Sequence, residues 1–252
     1  NGRHWHVPEP VLRGTRQRPR ARGLTGVITC LHYPSPASGT DRVLLIMLPG
    51  AGIQAGAFAE RGMVAALHAR ALPIDIVAAQ PPLELYLDGG VADALHAQLV
   101  APARAQGYQR IWMLGISLGG LGALLYASAH PGVAPHVILL APFLGTPGTI
   151  AEITKAGGLH GWADAGSTAV AIERRALRWL RDYLEREPDC GRLCLGYGTE
   201  DRFAPAHRML AREMPAEAVV TQPGGHEWET WLALWPHLLD RTQRLAAADP
   251  QA

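Results

Sequence analysis

No stretch of this chain offers the roughly 18 consecutive apolar residues that cross a bilayer. The longest apolar runs, 43–48 and 137–144, are short and end at proline or glycine. They read as buried strands, and stable membrane insertion is not expected. Cysteine is scarce. Cys30, Cys190 and Cys194 form an odd set, so at least one is unpaired within a monomer. Cys190 and Cys194 have no histidine close in sequence, which argues against a zinc site. A bridge between them would need unusual local geometry, so buried free thiols are expected. A dominant charge is missing too. The net charge of +1 gives no reason to expect a nucleic-acid partner. Only 13–22 is locally basic, and residues 1–23 read as a solvated basic N-terminal arm. The chain begins at Asn1 rather than Met, so removal of a preceding segment is expected. A cytoplasmic location is the preferred reading, with the periplasm or secretion left open.

What is present suits a folded domain. The 252 residues are 48% hydrophobic and 18% charged, enough to bury a core without disulfides or metals. Apolar runs of strand length at 26–32, 42–48, 74–79, 110–114, 137–141, 192–197 and 218–222 alternate with helical spacing. The helical stretches are 57–71, 91–105, 119–130, 168–186, 205–214 and 229–248. This alternation predicts an α/β fold, a mostly parallel central sheet with helices on both faces, in one domain over 24–248. The rhythm breaks at 145–167, where five glycines fall between Gly148 and Gly166. That segment is too short for a domain and reads as a small, flexible cap.

The sharpest motif is Gly115-Ile116-Ser117-Leu118-Gly119, placed after a strand and before a helix. The chemistry needs that context. A strained strand-to-helix turn lifts the serine hydroxyl above the sheet, and the glycines let neighbouring backbone pass close by. The amide of Leu118, at the helix N-terminus, then faces a developing oxyanion. The structural alternative is a glycine-rich helix start that Ser117 merely caps.

A second oxyanion donor is expected from the loop Pro49-Gly50-Ala51-Gly52, with the Ala51 amide preferred. A turn-only role for this loop is the alternative. A carboxylate is expected where the chain rises off the sheet after 192–197. Asp201 is the first choice there and Glu200 the second. Among eleven histidines, His226 stands out because it follows the strand at 218–222 and the pair Gly224-Gly225. In this arrangement His226 takes the Ser117 proton and Asp201 holds its tautomer.

At these residues the sequence resembles the α/β-hydrolase superfamily, and its esterase-like members in particular. The chain order Ser117, Asp201, His226 matches that superfamily, and the likeness spans roughly 24–248. The ending His226-Glu-Trp228-Glu-Thr-Trp231 resembles compact esterases in which aromatic residues follow the histidine. The resemblance implies a small-molecule ester or thioester substrate, an acyl-enzyme on Ser117, and no metal or cofactor. It also implies a cap after the strand at 137–141. Phe143, Leu144, Leu159, Trp162 and Trp228 are then candidate pocket residues, with core packing the alternative for each. A small cap with few charges favours esters of short to medium acyl chain. A thioesterase or an acyltransferase would use the same three side chains. A silent scaffold that binds a ligand or partner is the reading from another functional class.

Overall fold

The structure is a computed structural model that describes residues 26–37, 39, 42–133, 136–164 and 172–248. The expected arm at 1–23 and the last residues of the expected cap, 165–167, lie outside the described residues.

Among the described residues, seven strands form one sheet in the order β1-β3-β2-β4-β5-β6-β7. They are β1 (Thr29–Tyr33), β2 (Val43–Leu48), β3 (Ile74–Gln80), β4 (Arg110–Ile116), β5 (His136–Leu140), β6 (Leu193–Gly198) and β7 (Val219–Gln222). Edge strand β1 runs antiparallel to β3, and every other pairing is parallel. The sheet is therefore mostly parallel, as the strand–helix alternation predicts.

Strand β2 is apolar without a break, and the middles of β4 and β5 are apolar too, because both faces are covered. Along β2, Leu44, Ile46 and Leu48 enter one core cluster, while Val43, Leu45 and Met47 enter the other. β4 divides likewise, with Ile111 and Met113 on one side and Trp112, Leu114 and Ile116 on the other. Side chains alternate across a strand, so two-sided burial requires an apolar residue at every step. The first face is covered by α4 (Val91–Leu95), α6 (Leu118–Ala129), α8 (Ile172–Arg186) and α9 (Ala204–Ala211). The second is covered by α1 (Ala57–Glu60), α2 (Met63–His68) and α10 (Trp228–Ala248).

Three helical segments differ from the sequence reading. The stretch 57–71 is two short helices, because Gly62 turns the chain with φ +89°. The stretch 91–105 is α4, a π-helical turn at His96–Val100, and α5 (Ala101–Ala105). A further short helix, α3 (Leu83–Leu87), follows Pro81-Pro82.

The glycine-rich segment, expected to be a small, flexible cap, holds α7 (Pro147–Lys155). Pro147 opens that helix, and the Thr146 hydroxyl accepts from the Thr149 amide at 3.3 Å. Its buried face carries Ile150 and Ile153. Ion pairs tie this region to α8: the Arg174 guanidinium bonds Glu152 at 2.8 Å and Asp164 at 2.6 Å.

Candidate active site

Ser117 sits between the end of β4 and the start of α6 with φ +52° and ψ −115°. A non-glycine residue held there stores roughly 1–3 kcal/mol of strain. Its neighbours hold it in place. The Ser117 amide donates to Leu140 O at 3.1 Å, and the Phe143 amide donates to Ser117 O at 2.8 Å. Close approach explains the motif's second glycine. A methyl group on Gly119 would lie 2.1 Å from Leu48 O, so β2 passes where any side chain would stand. Gly50 presses on the serine itself, its missing methyl position 3.1 Å from Ser117 Cβ. The loop after β2 is thus packed against the hydroxyl-bearing residue. Among the described residues, neither the Leu118 amide nor the Ala51 amide has a hydrogen-bond partner.

The loops after β6 and β7 bring up the other two groups. They are tied together by the Thr199 amide to Gln222 O at 2.8 Å and the Glu200 amide to Gly224 O at 3.0 Å. His226 Nε2 lies 3.0 Å from Ser117 Oγ. His226 Nδ1 lies 2.7 Å from Asp201 Oδ2. A carboxylate accepts, so Nδ1 carries the hydrogen and Nε2 is free to accept from the serine hydroxyl. The Asp201 side chain is fully buried, while that of His226 is 10% exposed. Asp201 Oδ1 accepts from the Phe203 amide at 2.7 Å. Burial alone would raise the Asp201 pKa. The hydrogen bonds from His226 and the Phe203 amide outweigh it, and the carboxyl sits below its ordinary value. Glu200, the second choice for the acid, is exposed.

This geometry places a hydroxyl, an imidazole and a carboxylate in one hydrogen-bonded line, within proton-transfer reach of one another. No family model matches the chain, and no curated protein matches it in sequence. Solved structures do match in shape. Est1E from Butyrivibrio proteoclasticus is 18% identical, with 87% of this chain and 95% of that one covered and a TM-score of 0.58. A ferulic acid esterase is 18% identical over 87% and 98%, with a TM-score of 0.53. A monoacylglycerol lipase from Paleococcus ferrophilus is 16% identical over 85% and 99%, also with a TM-score of 0.53. This chain has the α/β-hydrolase fold. At such identities an α/β-hydrolase likeness fixes the architecture and leaves the chemistry to the site.

Two aromatic residues that the sequence reading did not assign clamp the imidazole. The Phe203 ring stands edge-on to His226 at 5.1 Å, and the Trp231 ring does so at 5.1 Å from its own element, α10. Their sequence signal was only proximity, since Phe203 lies two residues after Asp201 and Trp231 five after His226. Trp228, a candidate pocket residue, packs on Trp231 at 5.3 Å and Phe58 at 6.3 Å and is partly buried. Phe143 is also partly buried, with its ring 5.7 Å from that of Phe203.

Three other pocket candidates are placed differently. Leu144, Leu159 and Trp162 are buried core residues at 2%, 0% and 2% exposure. Trp162 is locked further by its Nε1 donating to Glu152 at 2.7 Å and by Arg174 over its ring. All three belong to the core cluster that also holds Ile150 and Ile153 of α7. A cleft of about 510 Å³ between α7 and α9 is lined by Thr154, Pro205, Arg208, Met209 and Glu213, among others, and touches none of Ser117, Asp201 and His226. Among the described residues, no group of three or more His, Cys, Asp or Glu is placed to hold a metal ion. No helix among them is long and apolar enough to cross a membrane.

Proposed function

We propose that the chain is a serine hydrolase that cleaves carboxylic esters of short to medium acyl chain through an acyl-enzyme on Ser117. The observation that carries the reading is the continuous hydrogen-bond path from Ser117 Oγ through His226 to Asp201. The esterase and lipase names of similarly shaped proteins support ester chemistry over other uses of the fold.

The steps follow from the atoms. His226 Nε2 takes the hydroxyl proton as Ser117 Oγ bonds to the ester carbonyl carbon. Asp201 keeps Nδ1 protonated and stabilises the imidazolium that forms. The amides of Leu118 and Ala51 receive the oxyanion, each donor worth roughly 2.7–4 kcal/mol. Collapse breaks the bond to the leaving alcohol, which takes the proton from His226. Water then gives a proton to His226 as it attacks the acyl carbon, and His226 passes that proton to Ser117 Oγ as the bond to the serine breaks and the acid leaves.

Hydrolysis of p-nitrophenyl acetate, butyrate and octanoate, beside an acyl thioester, tests this reading. The expected result is ester turnover highest on the shorter chains and abolished in Ser117→Ala. A thioester preferred by tenfold or more reassigns the enzyme to thioester hydrolysis. Product formation that depends on added alcohol or amine reassigns it to acyl transfer.

A further inference from the structure

His207 takes no part in the proton path, yet it is completely buried beside it. It lies on α9, the helix that starts directly after the Asp201 turn. Its Nε2 is 2.9 Å from the carbonyl oxygen of Pro142. A carbonyl only accepts, so Nε2 carries the hydrogen and Nδ1 is bare. That Nδ1 has no partner among the described residues. A buried bare acceptor is unfavourable, and an aliphatic side chain would fill the same space without it. The Nε2 bond is therefore what a histidine adds at this place.

That bond joins the two halves of the site. On one side, the His207 amide donates to Phe203 O at 3.1 Å, and the Phe203 amide donates to Asp201 Oδ1 at 2.7 Å. The Phe203 ring also stands against His226. On the other side, Pro142 packs on Gly120 of α6, where a methyl group would lie 2.7 Å from Pro142 Cβ. The next residue, Phe143, holds the Ser117 carbonyl through its amide.

We infer that His207 is a positioning residue which, by donating Nε2–H to Pro142 O, sets the separation between the Asp201–His226 pair and Ser117. The inference rests on the reading of Ser117 as nucleophile. Burial holds the imidazole neutral, with its pKa pushed down to about 4 despite the nearby Asp201. The charged groups acting on it are Asp201 and Arg208, together with His226 when protonated, and the Tyr197 ring lies 5.2 Å away. A neutral imidazole keeps a single donor, directed at Pro142, across the ordinary pH range.

Three variants separate positioning from packing. In His207→Gln the side-chain amide reaches the place of Nε2 and still donates; in His207→Asn it is too short, and in His207→Leu it is absent. On p-nitrophenyl butyrate, Gln is expected to keep kcat within about threefold. Asn and Leu are expected to lower it roughly 10- to 100-fold with KM nearly unchanged, since a misplacement near 1 Å costs up to about 100-fold. Labelling by a fluorophosphonate should slow by the same factor. Wild-type kcat in Asn or Leu overturns the inference, as does a Gln variant no better than Leu. Histidine 15N spectra of the wild-type protein supply a readout independent of variant folding. They should contain a neutral Nε2–H imidazole at pH 6 that is missing from the Gln variant's spectrum, and an Nδ1–H tautomer for His207 overturns the bond. A wild-type protein that neither hydrolyses esters nor labels overturns the serine-hydrolase reading instead, leaving the spectrum to judge the His207 bond by itself.

Discussion

His226 Nε2 meets Ser117 Oγ at 3.0 Å although 109 positions separate them in the chain. Neither loop achieves this alone. Ser117 is fixed by β4, α6 and the chain after β5, and His226 by the ties between the loops after β6 and β7. The parallel sheet places the C-terminal ends of β4, β6 and β7 along one rim, so the three groups meet there.

Asp201→Asn keeps the shape but removes the anion that fixes the His226 tautomer. The expected loss is on the order of 10⁴ in kcat, with little change in KM and a native circular dichroism spectrum. Stopped or initial-rate kinetics on p-nitrophenyl butyrate measure it. A loss under tenfold would assign the orienting role elsewhere, with exposed Glu200 the next residue to test.

The thiols should be spectators. Cys30, Cys190 and Cys194 are all free, and burial pushes their pKa values up to about 11, 12 and 11. Iodoacetamide at pH 8 should leave the folded protein unlabelled and fully active, and should modify all three cysteines once guanidinium unfolds it. Inactivation in parallel with labelling of a native cysteine would contradict this.

Stability toward acid should fall in two windows. The His207 pKa is about 4 in the folded protein against an ordinary 6.5, so the unfolded chain takes up the proton first. Its contribution is complete above pH 6.5 and lost as pH falls from there toward 4, roughly 3 kcal/mol in all. Asp201 acts lower. Its folded pKa is depressed below 3.8, so its contribution is present above that value and lost only at more acid pH. His32 and His130 are also depressed by burial, so the comparison must be with His207→Leu, whose urea midpoint should drop less between pH 7 and 4.5. Equal slopes would contradict the assignment.

Asp75 holds the opposite end of the sheet. It accepts from Arg42 Nε at 2.7 Å, the Tyr108 hydroxyl at 2.6 Å and the Ser35 amide at 2.8 Å. Asp75→Asn should lower unfolding free energy by roughly 2 kcal/mol, because a charged acceptor with several donors is lost. Its kcat should not change, since the network lies at the N-terminal ends of β2, β3 and β4. Guanidinium unfolding and ester kinetics on the same sample separate the two effects.

The strands were legible because two-sided burial forces apolar runs, as in β2 and in 137–140 of β5, although the second run continues into the loop at 141–144. Ser117 was legible because Gly115 and Gly119 sit where backbone passes too close for a side chain. Asp201 and His226 could be named only as loop residues after strands, since their meeting is a property of the sheet. α7 escaped notice because Gly148 and the glycines beyond its end mask a helix whose start signals, Thr146 and Pro147, were present. Leu144, Leu159 and Trp162 were read as pocket because sequence carries no sign of which apolar residues face a void. His207 was invisible as well, because only the fold brings Pro142 to its ring.

The central claim is that Ser117 is a nucleophile activated by His226, and a fluorophosphonate probe tests it most directly. Peptide mass mapping of the labelled wild-type chain should place one adduct on Ser117, with no adduct in Ser117→Ala and labelling slowed by orders of magnitude in His226→Gln. A folded wild-type chain that takes no label, or takes it equally in Ser117→Ala, would contradict the account.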